Sequence, residues 1–283
     1  MLQITRDTLD IIDRALQEDL TSQDHTTSAL VPRGQIGQAL LVSKEPGILA
    51  GLSVTAAVFS RVNPSLETVP ILEDGANLKA GDLIARIEGQ VGGILTAERT
   101  ALNFLQRMSG IATETAKYVA EISGSAAEII DTRKTVPGLR YLDKYSVAVG
   151  GGHNHRFNLS DGILIKDNHI AAARLGELSI EYLVKHASEK APHTLKVEIE
   201  VETIDEAKEA IDAGAEIILL DNMSIEDMTR AAKMAKGRAL TEASGGINLD
   251  NVRRVAETGV DLISVGALTH SVKALDISLD LQT

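Results

Sequence analysis

The chain has no cysteine and no tryptophan, and only four Tyr and three Phe among 283 residues. Without cysteine there can be no disulfide, no thiol nucleophile and no thiolate metal site. With aromatics at 2%, the core must be built from Ala, Val, Ile and Leu, and rings are too few for a base-stacking platform. Positive charge is also scarce. The 28 Lys and Arg against 40 Asp and Glu leave a formal net charge of -12, which repels a phosphate backbone. Nucleic acid is therefore excluded as a partner. No apolar run reaches the roughly 18 to 20 residues of a spanning helix. The segment Met1-Leu2-Gln3-Ile4-Thr5-Arg6-Asp7 has no apolar stretch of signal-peptide length. No membrane partner is expected, and a cytoplasmic protein is.

What is present is enough for a large core, since 44% of the residues are hydrophobic, in one large domain or two modest ones. Residues 5–20 predict an amphipathic helix with Leu9, Ile12, Leu16 and Leu20 on one face. Strands are expected at 36–44 and 46–50, a helix at 52–62, and short strands with tight turns between Leu72 and Gly89. Thr96 is expected to cap a helix over Glu98–Met108, with Gly110 separating it from a second helix. In the second half, strands are expected at Ala127–Ile130, Gly162–Ile165, Val197–Glu202, Glu216–Asp221, Ala239–Ala243 and Asp261–Val265. Helical runs at Ile204–Ala213, Ser224–Lys236 and Leu249–Thr258 lie between the last four. This alternation is that of a parallel sheet with crossover helices. The fold class is therefore α/β: a β/α barrel over residues 111–270, preceded by a smaller α+β domain over residues 1–110, with the tail 271–283 returning to it.

Against the acidic background, Asp131–Ile170 stands out. Six Lys and Arg and three His face four Asp there, interleaved with Gly150, Gly151 and Gly152. Such a cluster suits a multiply charged anion, because charge-assisted hydrogen bonds to carboxylate or phosphate are about twice as strong as neutral ones. In a β/α barrel the chemistry gathers at the C-terminal ends of the strands. Those ends carry Asp131-Thr132-Arg133-Lys134, Lys166-Asp167-Asn168, Glu200 with Glu202, Asp221-Asn222, Glu242-Ala243-Ser244-Gly245-Gly246 and Gly266-Ala267.

Each motif has a plainer reading beside the functional one. Ser244-Gly245-Gly246 and Val265-Gly266-Ala267 follow the last two strands, where barrels bind phosphate through backbone N–H groups, but Gly-Gly also serves as a simple tight loop. Glu200 and Asp221 could hold ribose hydroxyls or Mg2+, or an ion pair with Lys166 or Lys196. Glu198 and Glu202 share the face of Glu200, so spacing alone does not single it out. His153 and His155 could pair on a metal, yet no third ligand stands near them in sequence and Arg156 opposes a cation. Lys134 and Lys166 occupy positions suited to a Schiff-base aldolase or, equally, to a polyanion site. Gly75–Gly89 has the look of a biotinyl or lipoyl carrier hairpin but lacks the lysine tip at the required distance.

Taken in order, several segments resemble the quinolinate phosphoribosyltransferases. They are Leu95-Thr96-Ala97-Glu98-Arg99-Thr100-Ala101-Leu102-Asn103, Asp131-Thr132-Arg133-Lys134-Thr135 with Pro137-Gly138 and Arg140, Gly150-Gly151-Gly152 with Asn154-His155-Arg156, Leu164 to His169, Glu198 to Val201, Leu219 to Asn222, Glu242 to Ile247, and Gly266 to Ser271. The resemblance implies an N-terminal α+β, sandwich-like domain and an incomplete, open barrel. It implies a homodimer with a shared active site, a hexamer being left open, in which Arg99 reaches the neighbouring chain. It also implies transfer from phosphoribosyl pyrophosphate to quinolinate with decarboxylation and with Mg2+, and no organic cofactor. Arg99, Arg133, His155, Arg156 and Lys166 would surround the two carboxylates, with Thr132 and His270 in the same site. Lys134 would reach toward pyrophosphate. Ser244, Gly245, Gly246, Val265, Gly266 and Ala267 would hold the 5′-phosphate. Glu200 and Asp221 would hold ribose and Mg2+, and with Lys134 form the catalytic set. Ala243 stands where relatives also have a serine, which leaves a backbone phosphate site intact. A group of similar transferases associated with molybdenum transport is the alternative within this resemblance.

Overall fold

The structure, a computed structural model, describes residues 2–282. Met1 and Thr283, the outer limits of the expected first domain and of its tail, lie outside the described residues. Two compact units divide the chain. One comprises the residues through Ala116, Thr135–Gly151 and those from Ser271; the other comprises Lys117–Lys134 and Gly152–His270.

The first unit contains helices α1 (Arg6–Asp19), α2 (His25–Leu30), α3 (Leu52–Val62) and the start of α4 (Val91–Glu121), together with α5 (Arg140–Val149). Its strands β1 (Ile36–Ser43), β5 (Leu83–Gln90), β3 (Glu67–Pro70) and β12 (Ile277–Gln282) form an antiparallel sheet in the order β12-β1-β5-β3, and β2 (Gly47–Ile48) pairs with β4 (Asn77–Leu78). Thr5 starts α1 by accepting a bond from Thr8 N, which satisfies one of the helix's free N–H groups. The unit's core is aliphatic, as the shortage of rings requires, with Ile12, Leu41, Val58, Ile84, Ile87, Leu105 and a single phenylalanine, Phe59, wholly buried.

The expected break at Gly110 is absent. The α4 helix runs unbroken from Val91 to Glu121, and Thr96 lies inside it, donating from Oγ1 to Asp24 Oδ2 at 3.1 Å rather than capping. Glycine inside a helix costs about 0.5–1 kcal/mol relative to alanine and marks a break only when nothing offsets it. Here a Cβ on Gly110 would stand 2.2 Å from the carbonyl oxygen of Lys273, so the glycine admits the returning tail.

The second unit is a parallel sheet of β6 (Glu128–Ile130), β7 (Ile163–Ile165), β8 (Val197–Val201), β9 (Ile217–Asp221), β10 (Leu240–Ser244) and β11 (Leu262–Ser264), in the order β6-β11-β10-β9-β8-β7. Helices α6 (Asp167–Arg174), α7 (Ile180–Lys190), α8 (Ile204–Ala213), α9 (Ile225–Ala235), α10 (Val252–Ala256) and α11 (Ala267–His270) connect the strands. Thr203 and Ser224 cap α8 and α9 by accepting from Glu206 N and Asp227 N, and Gly214, at φ +90°, ends α8. Beyond β6 the sheet continues through a parallel bridge between Ile130 and His153. Among the described residues no pairing joins that edge to β7, so the barrel is open, as its motifs imply.

Candidate active site

The parallel register brings the strand ends together. Asp131, directly after β6, is wholly buried. Its two carboxylate oxygens accept from His155 N and Asn154 Nδ2, each at 2.8 Å. His153 N donates to Ile129 O, and Asp131 N donates to His153 O. Residues 153–155 are thereby clamped alongside β6, which delivers His155 and Arg156 to the barrel.

Next along the sheet, Thr132 Oγ1 accepts from Lys134 N at 3.0 Å, and Lys134 O accepts from Thr269 Oγ1 at 2.9 Å. A Cβ on Gly266 would lie 3.1 Å from Lys134 Cδ and 3.2 Å from the His270 ring. Lys134, Gly266 and His270 therefore meet at the neighbouring ends of β6 and β11. Val265 is buried, its N–H bonded to Ile130 O, and Ala267 opens α11 beyond Gly266. Ser244 closes β10, with its carbonyl accepting from Asn222 N at 2.9 Å. Gly245 and Gly246 take φ +89° and +62°, and Asn222 sits so close that a Cβ on Gly245 would be 2.3 Å from its Oδ1. No bond from the N–H of Gly245, Gly246 or Gly266 to a described group is found.

Glu200, next to last in β8, and Asp221, last in β9, lie near the ends of neighbouring strands. One oxygen of Glu200 stands 3.3 Å from Lys166 Nζ, the ion pair that is the plainer reading of that residue, and Asp221 Oδ2 accepts from Asn222 Nδ2 at 2.9 Å. Glu202 is exposed, and its backbone N–H serves the start of α8 by donating to Glu206. Among the other histidines, His169 Nδ1 accepts from Lys166 N at 2.9 Å within the first turn of α6, and the exposed His153 has Glu128 3.8 Å away. Arg99 belongs to the other unit, on α4, beside a pocket of about 340 Å³ that also holds Arg107, Glu18 and Asp19.

Buried side-chain atoms of the site without a partner fall on two guanidiniums and on the Oε1 atoms of Glu198 and Glu242. Arg133 Nε and Arg156 Nε are both buried without a hydrogen-bond partner. Arg156 does donate from Nη1 to Gly162 O at 2.9 Å. Burial holds the Arg156 pKa below its usual value, the charge of Arg133 adds to this, and Glu198 opposes it. A buried N–H left without an acceptor costs about 1–3 kcal/mol, so two of them side by side call for an anion.

Below the mouth, His155 Nε2 lies 3.2 Å from Glu198 Oε2 and 3.7 Å from Glu242 Oε2. All three residues line a cavity of about 540 Å³. The sequence offers His155 no nearby third ligand; the fold supplies two, and the three groups lie within 4.8 Å of one another, as metal ligands do. The imidazole's other nitrogen decides against that use. His155 Nδ1 accepts from Arg156 N at 2.7 Å, so it carries no proton, and the proton of the neutral ring sits on Nε2, where a metal would need a lone pair. Glu242 is nearly fully buried, and burial followed by the adjacent Glu198 charge pushes its carboxyl well above the usual range. Glu198 and Glu242 are the residues that sequence reasoning missed as a pair. The legible signal was a glutamate at a buried position in the middle of each of two strands, Glu198 in Val197–Val201 and Glu242 in Leu240–Ser244.

An open β/α barrel whose strand ends offer unpaired guanidiniums, a lysine–carboxylate pair and two glycine loops with free N–H groups defines a barrel enzyme for small polyanions. Comparison with known proteins narrows this class. The quinolinate phosphoribosyl transferase N-terminal and C-terminal domain families match residues 24–109 and 111–280. A curated relative from Mycobacterium leprae (strain TN), nicotinate-nucleotide pyrophosphorylase [carboxylating], is 44% identical over 278 residues, covering 96% of each chain. One from Bacillus subtilis (strain 168), a probable nicotinate-nucleotide pyrophosphorylase [carboxylating], is 42% identical over 271 residues, 96% of this chain and 92% of that one. The crystal structure of NadC from Streptococcus pyogenes superposes with a TM-score of 0.94 at 43% identity, covering 100% of this chain and 99% of that one. The chain belongs to the quinolinate phosphoribosyl transferase family. That membership bears out the resemblance drawn from the motifs, together with the reading as a decarboxylating phosphoribosyltransferase enzyme of pyridine nucleotide biosynthesis. It gives no support to the aldolase, the carrier or the molybdenum-associated alternative. No helix among the described residues is long and apolar enough to cross a membrane.

Proposed function

We propose that this chain converts quinolinate and phosphoribosyl pyrophosphate into nicotinate mononucleotide, pyrophosphate and CO2. The reading is carried by the adjacent Arg133 and Arg156, each with a buried, unpartnered Nε. With Lys166 they offer cations to the two carboxylates of a pyridine dicarboxylate, and Thr132 and Lys134 lie on the same segment, Lys134 toward the leaving pyrophosphate. Ser244, Gly245, Gly246, Val265, Gly266 and Ala267 hold the 5′-phosphate through backbone N–H groups, with His270 beside them. Glu200 and Asp221 face the ribose, where their charge favours the oxocarbenium character that C1 gains as pyrophosphate departs.

The chemistry needs no protein nucleophile. The ring nitrogen bonds to C1 of the ribose while the C1–O bond to pyrophosphate breaks. The nitrogen, now cationic, stabilises the electron pair left on the neighbouring carbon when its carboxylate leaves as CO2, and that carbon then takes a proton. The protein contributes orientation and electrostatics. Mg2+ fits the oxygen donors present, because Glu200 and Asp221 each have one oxygen engaged with Lys166 or Asn222 and a second to offer, and Mg2+ is held through one or two carboxylates plus substrate phosphates. It would neutralise charge on the departing pyrophosphate.

The same reading takes residues 1–110 with the tail 271–283 as one domain and 111–270 as the other, with Arg99 serving a second copy's site in a cytoplasmic homodimer. The test is formation of nicotinate mononucleotide from quinolinate, phosphoribosyl pyrophosphate and Mg2+. Absence of product, or equal turnover of nicotinate, overturns the proposal, because nicotinate leaves the cations for the second carboxylate unpaired.

A further inference from the structure

We infer that Thr269 is a positioning residue: by holding the backbone of Lys134 to the Gly266-Ala267 loop, it fixes the distance between the two phosphate-binding ends of the phosphoribosyl pyrophosphate site. The inference deepens the proposed function and rests on it, with Lys134 toward pyrophosphate and the loop toward the 5′-phosphate. Thr269 is wholly buried, so it offers no surface to a substrate. Its Oγ1 donates to Lys134 O at 2.9 Å and lies 3.4 Å from Gly266 O. A hydroxyl has one proton to give, and the shorter contact takes it. The backbone N–H of Thr269 donates to Gly266 O at 3.2 Å. The residue is thus rooted in the turn that follows the loop and reaches across to the lysine segment.

Lys134 needs such a tie. The strand β6 ends at Ile130, whose carbonyl accepts from Val265 N at 3.0 Å, and the chain then leaves the sheet. The bond from Lys134 N to Thr132 Oγ1, at 3.0 Å, turns this segment without anchoring it elsewhere. Among the described residues no ion pair engages Lys134 Nζ. The lysine stem lies against Gly266, where a Cβ would stand 3.1 Å from Lys134 Cδ. Threonine suits the task because its branched Cβ restricts χ1 and so fixes the direction of the hydroxyl. The substrate makes the spacing matter. It carries pyrophosphate on C1 and phosphate on C5 of one ribose, so both ends bind together only when lysine and loop stand at the right separation. A fragment that meets one end alone is indifferent to that separation.

The experiment compares the whole substrate with its two halves. With Mg2+ present, phosphoribosyl pyrophosphate, ribose 5-phosphate and inorganic pyrophosphate are each titrated calorimetrically into wild-type protein, Thr269→Val and Thr269→Ser. Valine keeps the shape and removes the donor. Thr269→Val should weaken phosphoribosyl pyrophosphate about threefold to tenfold, the loss of one neutral hydrogen bond, and leave each half within about twofold of wild type. Thr269→Ser retains the hydroxyl and should recover most of the loss. Thr269→Ala, which also lacks the donor and fits the same space, carries the same prediction should the valine variant fail to fold. Equal losses for the substrate and both halves, as a general loosening of the barrel would give, overturn the inference. So does an unchanged affinity for the substrate, or a serine variant no better than valine. Because Thr269 acts through Lys134, Thr269→Val should add less than about twofold in a Lys134→Ala background, and independent, additive losses overturn the inference. Wild-type protein that binds no phosphoribosyl pyrophosphate defeats the proposed function, whereas wild-type binding with unselective variants defeats the positioning role alone.

Discussion

Replacing Arg156 by lysine keeps the charge and should still cripple the site. The guanidinium divides its work: Nη1 serves Gly162 O at 2.9 Å, and Nε faces the pocket with no partner. A lysine is a single point donor on a flexible stem and cannot serve both places at once. The missing interaction is a charge-assisted hydrogen bond, about 1.5–3 kcal/mol. At about 1.4 kcal/mol per factor of ten, this weakens quinolinate binding roughly 10- to 150-fold. Arg133 sharpens the effect, because its charge adds to burial in disfavouring the Arg156 cation, and an anion that faces both relieves it. The assay is calorimetric titration of quinolinate into wild-type protein and Arg156→Lys at one fixed ionic strength, with phosphoribosyl pyrophosphate titrated separately. Quinolinate should weaken by the stated factor, and phosphoribosyl pyrophosphate by less than about threefold. Quinolinate affinity within about twofold of wild type, or an equal loss for both ligands, would refute the assignment of the orphaned Nε to a substrate carboxylate.

Gly245→Ala places a side chain at φ +89° and a Cβ 2.3 Å from Asn222 Oδ1. A left-handed non-glycine residue costs about 1–2 kcal/mol, and Asn222 must also move, so KM for phosphoribosyl pyrophosphate should rise about tenfold while that for quinolinate holds. Unchanged kinetics for the first substrate would remove the loop from the phosphate site. Arg107→Ala removes the partner that donates to both oxygens of the wholly buried Asp143, at 3.0 and 2.9 Å, and should cost about 3–5 kcal/mol at neutral pH. The pH dependence has a definite sign. Burial raises the Asp143 pKa in the folded protein even with Arg107 opposing it, and losing Arg107 raises it further. A raised carboxyl pKa favours the fold at acid pH and is lost as pH rises through the folded value, so the Tm gap to wild type should widen from about pH 5 to about pH 8. A gap that narrows over that range would contradict the pairing.

The strands of the second unit and its helices α8, α9 and α10 were legible because their signals are local. The segment Glu216–Asp221 is a short aliphatic run bounded by polar residues, and the runs Ile204–Ala213 and Ser224–Lys236 read as helices beside such strands. Gly110 misled for the same reason. Its meaning lies in a carbonyl at Lys273, far along the chain, and no local pattern records that approach. The basic window Asp131–Ile170 was visible as charge and glycine content, while roles for its residues came from the resemblance and not from composition or spacing.

By itself the sequence determined the chemical inventory: no thiols, few rings, an acidic surface, and arginines, lysines and glycines gathered at expected strand ends. Those are properties of residue type and period, and a linear string carries them in full. Only the tertiary structure decided which of these groups remain available. It paired Lys166 with Glu200 and left Nε of Arg133 and Arg156 without acceptors. It also drew His155 between Glu198 and the Arg156 backbone, joining residues more than forty positions apart. Hydrogen-bond satisfaction is a property of space. Whether a cation faces a substrate or a neighbouring carboxylate is settled when parallel strands bring their ends to one mouth.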